Sequence, residues 1–241
     1  MIASERRELV TLLRIERHAQ RNALDLPHCT ELLAAAEDAA TTSRCIVITG
    51  EGTTFCAGAD LDTVHDTAFR HTLTRLLRRL PELPVPVVAA VNGPAIGAGT
   101  QLALACDLRV AAPSARFAVP TARLGLALDP WSVARLAAIA GGGTARALLL
   151  GVEVVDAERA HALGLVDRLG DLDAALGWAA ELAGLAPLTM AYNKLALAGG
   201  ADLDPDDPAV NDAMFRCYES DDAEEGRRAR LERRAPSFRG R

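Results

Sequence analysis

Apolar positions follow two rhythms along the chain. Short, mostly apolar runs stand at Leu9–Ile15, Cys45–Thr49, Val87–Val91 and Leu108–Ala111. They are too short for helices, rich in Val, Ile and Leu, and several end at Gly, Asn-Gly or Pro-Ser, which predicts strands buried on both faces. Between them the apolar residues fall at helical spacing. Leu32–Ala40 is rich in Ala, Leu and Glu, and Thr100–Cys106 also reads as a helix. Leu73, Leu76, Leu77 and Leu80 line one face of a helix over Ala68–Leu80, which Pro81 and Pro84 are expected to end. Repeated strand-then-helix units predict the α/β class. Beyond Trp131 the rhythm changes. Ser132–Ala140, Thr144–Leu150, Asp156–Leu163, Leu172–Leu185 and Met190–Ala198 read as helices, and only Val166–Leu169 reads as a strand. The acidic, Pro-rich Asp202–Asp212 reads as a surface loop. Arg227–Arg241, with seven arginines and one acid, reads as the solvated face of a terminal helix.

Composition narrows the class. A chain of 241 residues that is 50% hydrophobic can bury one substantial core, and its 24% charged content is not that of a disordered protein. The net charge of −6 argues against a nucleic-acid partner, which would favour a net-basic surface. Five scattered cysteines form no Cys-x-x-Cys pair and no His stands at ligand spacing, so neither a disulfide scaffold nor a metal site is expected. No apolar leader segment is visible, and a reduced, cytoplasmic setting is the expectation. Leu83–Cys106 is uncharged and long enough to span a bilayer, but Pro84, Pro86, Gly93, Pro94, Gly97 and Gly99 interrupt it. It reads as a buried strand, a glycine turn and a helix start, so no membrane partner is expected.

Two glycine loops follow buried strands: Thr54-Phe-Cys-Ala-Gly-Ala-Asp-Leu61 and Asn92-Gly-Pro-Ala-Ile-Gly-Ala-Gly-Thr-Gln-Leu102. Neither ends in Gly-Lys-Ser/Thr, and the second is not Gly-x-Gly-x-x-Gly, which argues against a phosphate-cradling loop and a dinucleotide fingerprint. The second loop opens a helix. Glycines there let the backbone approach a ligand, and the first N–H groups of the helix point at an anion or a developing oxyanion. An unliganded tight turn fits the same pattern.

With these loops the chain resembles the crotonase superfamily, the enoyl-CoA hydratase/isomerase fold, over nearly its whole length. Arg21-Asn-Ala-Leu-Asp25 resembles an early family segment. Ile46–Gly50 with Phe55–Leu61 resembles the first signature, and Pro86–Gly93 through Gly97-Ala-Gly99 to Leu102–Asp107 the second. Ala115-Arg-Phe117, Gly125-Leu126, Pro187, Lys194, Asp221–Gly226 and Arg233–Gly240 fit the segments that follow. The resemblance implies a spiral of ββα units over 1–185 and a helical C-terminal trimerisation region over 186–241, in one continuous unit. It implies a homotrimer or hexamer and an acyl-CoA thioester as ligand, with coenzyme A entering as part of the substrate and no separate cofactor. It places the thioester oxygen on the backbone N–H groups of Ala59 and Ala98, with Ala57, Gly58, Asp60, Leu61, Gly97 and Gly99 around the substrate. Lys194 matches a lysine near the coenzyme phosphates, and an ordinary surface lysine fits equally.

Two positions depart from the family pattern. Hydratases that resemble this chain use two glutamates to move protons as water adds. Here Gln101 and Thr121 occupy those places. An amide and a hydroxyl are not general bases near neutral pH, so ordinary hydration is not expected. Asp129, eight residues past Thr121, matches an aspartate that moves protons in dienoyl-CoA isomerases and is the nucleophile in aroyl-CoA dehalogenases. Ahead of Pro130 it is equally suited to cap a helix. The expected activity is double-bond isomerisation with Asp129 as acid/base. The alternatives are dehalogenation or thioester hydrolysis through Asp129, and a catalytically silent acyl-CoA-binding subunit. His65, His71, Cys56, Arg123 and Trp131 lie near these segments without an assigned step.

Overall fold

The computed structural model describes residues 1–199 and 204–241. The chain opens with a hairpin of β1 (Ile2–Arg7) and β2 (Val10–Ile15), followed by α1 (Leu26–Thr42), β3 (Cys45–Gly50), α2 (Thr67–Glu82) and β4 (Val87–Val91). Next come β5 (Pro94–Ile96), α3 (Ala98–Ala105), β6 (Leu108–Ala111), β7 (Arg116–Ala118), the single turn α4 (Thr121–Leu124) and the long α5 (Pro130–Leu149). Then β8 (Val154–Asp156), α6 (Ala157–Ala162), β9 (Arg168–Leu169) and α7 (Leu172–Ala183) lead into the C-terminal helices α8 (Pro187–Gly199), α9 (Pro208–Tyr218) and α10 (Asp221–Glu232).

The strands form two sheets. The larger runs β1-β2-β3-β4-β6-β9, parallel except for the opening hairpin. The smaller runs β5-β7-β8. Alternate residues of the large sheet feed two separate cores, as the period of a strand requires. Leu13, Ile15, Ile46, Ile48, Ala89 and Val91 pack with α1, α2, α3 and α5, while Val10, Leu12, Cys45, Val47, Val88 and Val110 pack with α7. With both faces covered, the inner strands need no polar face, and this accounts for the unbroken apolar runs.

Several sequence expectations change. Pro81 lies inside the last turn of α2 and does not end it. The two helices expected at 132–140 and 144–150 are one element, bent at Gly141, whose φ of 79° is left-handed. The stretch read as a loop at 202–212 is helical from Pro208 onward; Asp202 and Leu203 lie outside the described residues. Asp207 caps that helix by accepting from the Ala209 N–H at 2.8 Å, and Pro208 stands in its first turn. The terminal helix stops at Glu232, so the arginine-rich tail is not one helix face. Its last residues fold back: the Arg239 and Gly240 N–H groups donate to the buried Asp222 carboxylate at 2.6 and 2.7 Å, and Arg234 and Ser237 donate to Glu225.

Among the described residues no single helix is long and apolar enough to cross a membrane. The uncharged stretch at 83–106 resolves into β4, β5 and α3 in the interior.

Candidate active site

The two glycine loops meet because each pairs with a distant backbone segment. Leu24 N–H donates to Gly58 C=O and Asp60 N–H donates to Leu24 C=O, both at 2.8 Å. This parallel bridge uses the residues on either side of Ala59, so the Ala59 N–H points away from Leu24. Further along, Cys56 N–H donates to Pro94 C=O at 3.1 Å, and Ile96 N–H returns to Cys56 C=O at 2.9 Å. The first loop is thereby laid against β5, immediately before α3.

Gly97 turns the chain into α3 with φ 54°, its own N–H held by Ala118 C=O at 2.8 Å. Ala98 is the first helical residue, where an N–H has no partner within the helix. Among the described residues no protein acceptor takes the N–H of Ala59 or of Ala98. Gly58, at φ +118°, lets the two turns close: a Cβ there would stand 3.0 Å from Ile96 O and 3.9 Å from Ala98 N. Gly99 serves packing, since a Cβ on it would fall 2.1 Å from Cys56 O.

These amides border a cavity of about 510 Å³. Ala57, Gly58, Ala59 and Leu61 form one wall, Gly97, Ala98 and Gln101 the second, and Thr121 with Leu124–Asp129 the third. Phe69 and Leu73 of α2 face it from below, so most of the lining is apolar. Asp129 is the only carboxylate in the lining among the described residues.

The structure gives Asp129 both roles that its sequence context left open. It is the N-cap of α5, Oδ1 accepting from the Ser132 N–H at 3.2 Å. It also reaches the cavity. Its Oδ2 accepts from Ser132 Oγ at 2.6 Å and from Gln101 Nε2 at 3.1 Å, and Gln101 Nε2 stands 2.8 Å from Ser132 Oγ. Gln101 and Ser132 are both buried. Ser132 was not singled out by sequence reasoning; its signal was the capping spacing Asp-Pro-x-Ser.

The other expected residues separate into those at the cavity and those away from it. Thr121 lines it at the start of α4. Asp60 acts on the loop: Arg17 donates to it at 2.7 Å and reaches Asp25 at 3.3 Å, tying the loop to the start of α1. The Arg17 hydrogen bond, with the Asp62 N–H, holds the Asp60 carboxyl below the usual range. His65 borders the cavity, as does Arg70, which sequence reasoning missed, whereas His71, Arg123 and Trp131 do not. Cys56 is fully buried, and burial pushes its thiol up to about 12, far from a reactive thiolate.

Lys194 requires a correction. It is 7% exposed, and its ammonium donates to Leu80 C=O at 3.2 Å, Val85 C=O at 2.9 Å and Asp107 Oδ2 at 2.5 Å. A cation so enclosed is neither a surface lysine nor free to meet a coenzyme phosphate. It joins α8 to the core. Asp107 is pushed up by burial, and Lys194 opposes that shift.

Two unclaimed backbone N–H groups border a largely apolar cavity on a mixed α/β scaffold. The comparisons agree with the geometry. Residues 5–241 match the family model described as "Enoyl-CoA hydratase/isomerase". The chain is similar to "Probable enoyl-CoA hydratase echA6" of Mycobacterium tuberculosis, at 44% identity covering 100% of both chains. It is also similar to the 2,3-dehydroadipyl-CoA hydratase of Escherichia coli, at 35% identity over 98% of this chain and 97% of that protein. Among solved structures, an enoyl-CoA hydratase/carnithine racemase from Magnetospirillum magneticum superposes with a TM-score of 0.92 at 29% identity, covering 100% of this chain and 96% of that one. The chain belongs to the enoyl-CoA hydratase/isomerase family of the crotonase superfamily.

Proposed function

We propose that the protein is an acyl-CoA double-bond isomerase in which Ala59 and Ala98 hold the thioester oxygen and Asp129 moves the proton. The observation that carries this reading is the pair of unclaimed amides bordering one apolar cavity. When a proton leaves the carbon chain in conjugation with the thioester, negative charge collects on the carbonyl oxygen. Two fixed N–H donors stabilise that charge without reorganising, and one such donor is typically worth ~10²–10³ in kcat. The apolar lining suits an aliphatic chain. Asp129 takes a proton from one carbon and returns it to another, so the double bond shifts with no net gain or loss of atoms. Gln101 and Thr121 supply no second carboxylate, which disfavours addition of water, a reaction in which one group activates water while another delivers a proton.

The test is turnover of 3-enoyl-, 3,5-dienoyl-, 2-enoyl- and aroyl-CoA esters by the protein and by Asp129→Asn. Isomerisation of the first two, reduced ~10²–10⁴ by the substitution, is the expected result. A nucleophilic Asp129 would release free acid or halide from the aroyl ester instead.

A second reading has an observation of its own. Asp129 serves as a helix cap and as the acceptor for Gln101 and Ser132, an arrangement that also suits a catalytically silent acyl-CoA-binding subunit. Tight binding of acyl-CoA with no turnover of any ester selects it. A homotrimer or hexamer belongs to either reading. The exposed Leu197, Phe215, Tyr218 and Leu231 of α8, α9 and α10 support it, and light scattering of the purified protein tests it.

A further inference from the structure

The Asp129 carboxylate has more partners than a helix cap requires. A cap needs one carboxylate oxygen on one early N–H, and Oδ1 on Ser132 N–H satisfies that need. Oδ2 is held separately by a closed triangle with the Ser132 hydroxyl and the Gln101 amide, its sides 2.6, 2.8 and 3.1 Å. Gln101 comes from α3, so the triangle joins the helix that carries the Ala98 N–H to the helix that carries Asp129. Ser132 is fully buried and does not line the cavity. Its hydroxyl donates to Asp129 and accepts from Gln101, and it has no other partner among the described residues.

We propose that Ser132, acting with Gln101, is a positioning residue that fixes Asp129 at the cavity wall in register with the oxyanion amides. The proposal rests on the proton-moving role given to Asp129 above. The chemistry is directional. Gln101 Nε2–H donates to Ser132 Oγ and to Asp129 Oδ2, and Ser132 Oγ–H donates to the same Oδ2. Gln101 and Ser132 both donate to Oδ2, so the side chain has one favoured orientation, and Oδ1, with a single donor, keeps one lone pair to take a proton. Gln101 thus stands where the resemblance places a glutamate, but works as a donor. A glutamate there would put a second carboxylate within hydrogen-bond distance of the first, and like charges that close resist joint ionisation.

The experiment is a double-mutant cycle on Ser132→Ala and Asp129→Asn. It is read by exchange of solvent deuterium into the carbon chain of hex-3-enoyl-CoA and by turnover of the same ester. Ser132→Ala alone is expected to lower the exchange rate and kcat about 10- to 100-fold, with KM and the melting temperature close to those of the unaltered protein. In the Asp129→Asn background it is expected to cost less than twofold more, because a positioning residue acts only through its partner. An equal loss in both backgrounds, or a parallel change in KM and melting temperature, assigns Ser132 a merely structural role and overturns the proposal. Ser132→Cys, which keeps a weak donor of similar size, is expected to recover part of the rate; a rate no better than that of Ser132→Ala counts against the proposal. If Asp129→Asn leaves exchange unchanged, the functional reading fails. If Asp129→Asn abolishes exchange while Ser132→Ala has no effect, that reading stands and the positioning role falls. If the unaltered protein catalyses neither exchange nor turnover, both fall.

Discussion

The cavity has two chemical walls of different construction. One wall is main chain: the Ala59 and Ala98 N–H groups, aimed by the bridge from Leu24 to Ala59, the bridge from Cys56 to Ala95, and the positive-φ turns at Gly58 and Gly97. The other is side chain: Gln101, Thr121 and Asp129, with Ser132 hydrogen-bonded to Asp129 and Gln101. Donors set by backbone turns withstand replacement of neighbouring side chains, since any residue carries the N–H. A wall of side chains changes its chemistry whenever one residue changes. The backbone wall is therefore unaffected by Gln101 and Thr121 standing in place of two acids.

Asp129→Asn is the sharpest way to break the comparison. It should reduce proton transfer ~10²–10⁴ while acyl-CoA affinity, measured by calorimetry, changes little. Next in size is Gly58→Ala, which attacks the other wall. The new Cβ meets Ile96 O at 3.0 Å in a backbone conformation that disfavours it. Both kcat and affinity should fall, kcat by ~10²–10³, and steady-state kinetics would show the loss split between them. A fall in kcat alone would mean that the two walls are not separable in this way.

Lys194→Met touches neither wall. It leaves Asp107 buried without its cation and should cost about 3–5 kcal/mol in chemical denaturation, with the pH profile of the surviving activity unchanged. The smallest effect is expected at the tail. Arg234, with Arg228 and the Ser237 N–H, holds the Glu225 carboxyl well below its ordinary value. A depressed acid stabilises the fold fully above its unfolded value and loses that contribution as pH falls through the folded value. Melting temperature should therefore be insensitive to Glu225 above pH ~4.5 and fall in more acid solution. Arg234→Gln should weaken that acid dependence, as thermal melts across pH 2–6 would show.

The inner strands were legible because burial on both faces leaves unbroken apolar runs. β1 was not: most of its residues are exposed and it pairs only with β2, so it carries no apolar pattern. β5, β7 and β8 have three residues each, too few to show a period, yet β5 helps to place Ala98. α9 was hidden by acidic composition, although Asp207-Pro208 is a helix start by its capping chemistry. In the site, the positions of the amides followed from glycines and the family pattern. The triangle did not, because Gln101 meets Asp129 and Ser132 across separations of 28 and 31 residues. Lys194 was misjudged for the same reason, since its partners at Leu80, Val85 and Asp107 lie at least 87 residues away.

The chain has a single lysine, and its amine is sealed between α8 and the core. Reductive methylation should therefore mark the exposed α-amine of Met1 at once and reach the one side-chain amine only when α8 lifts away. The mass increment on the peptide that carries Lys194, followed over time, would serve as a built-in clock for the release of the C-terminal helices, with no engineered label.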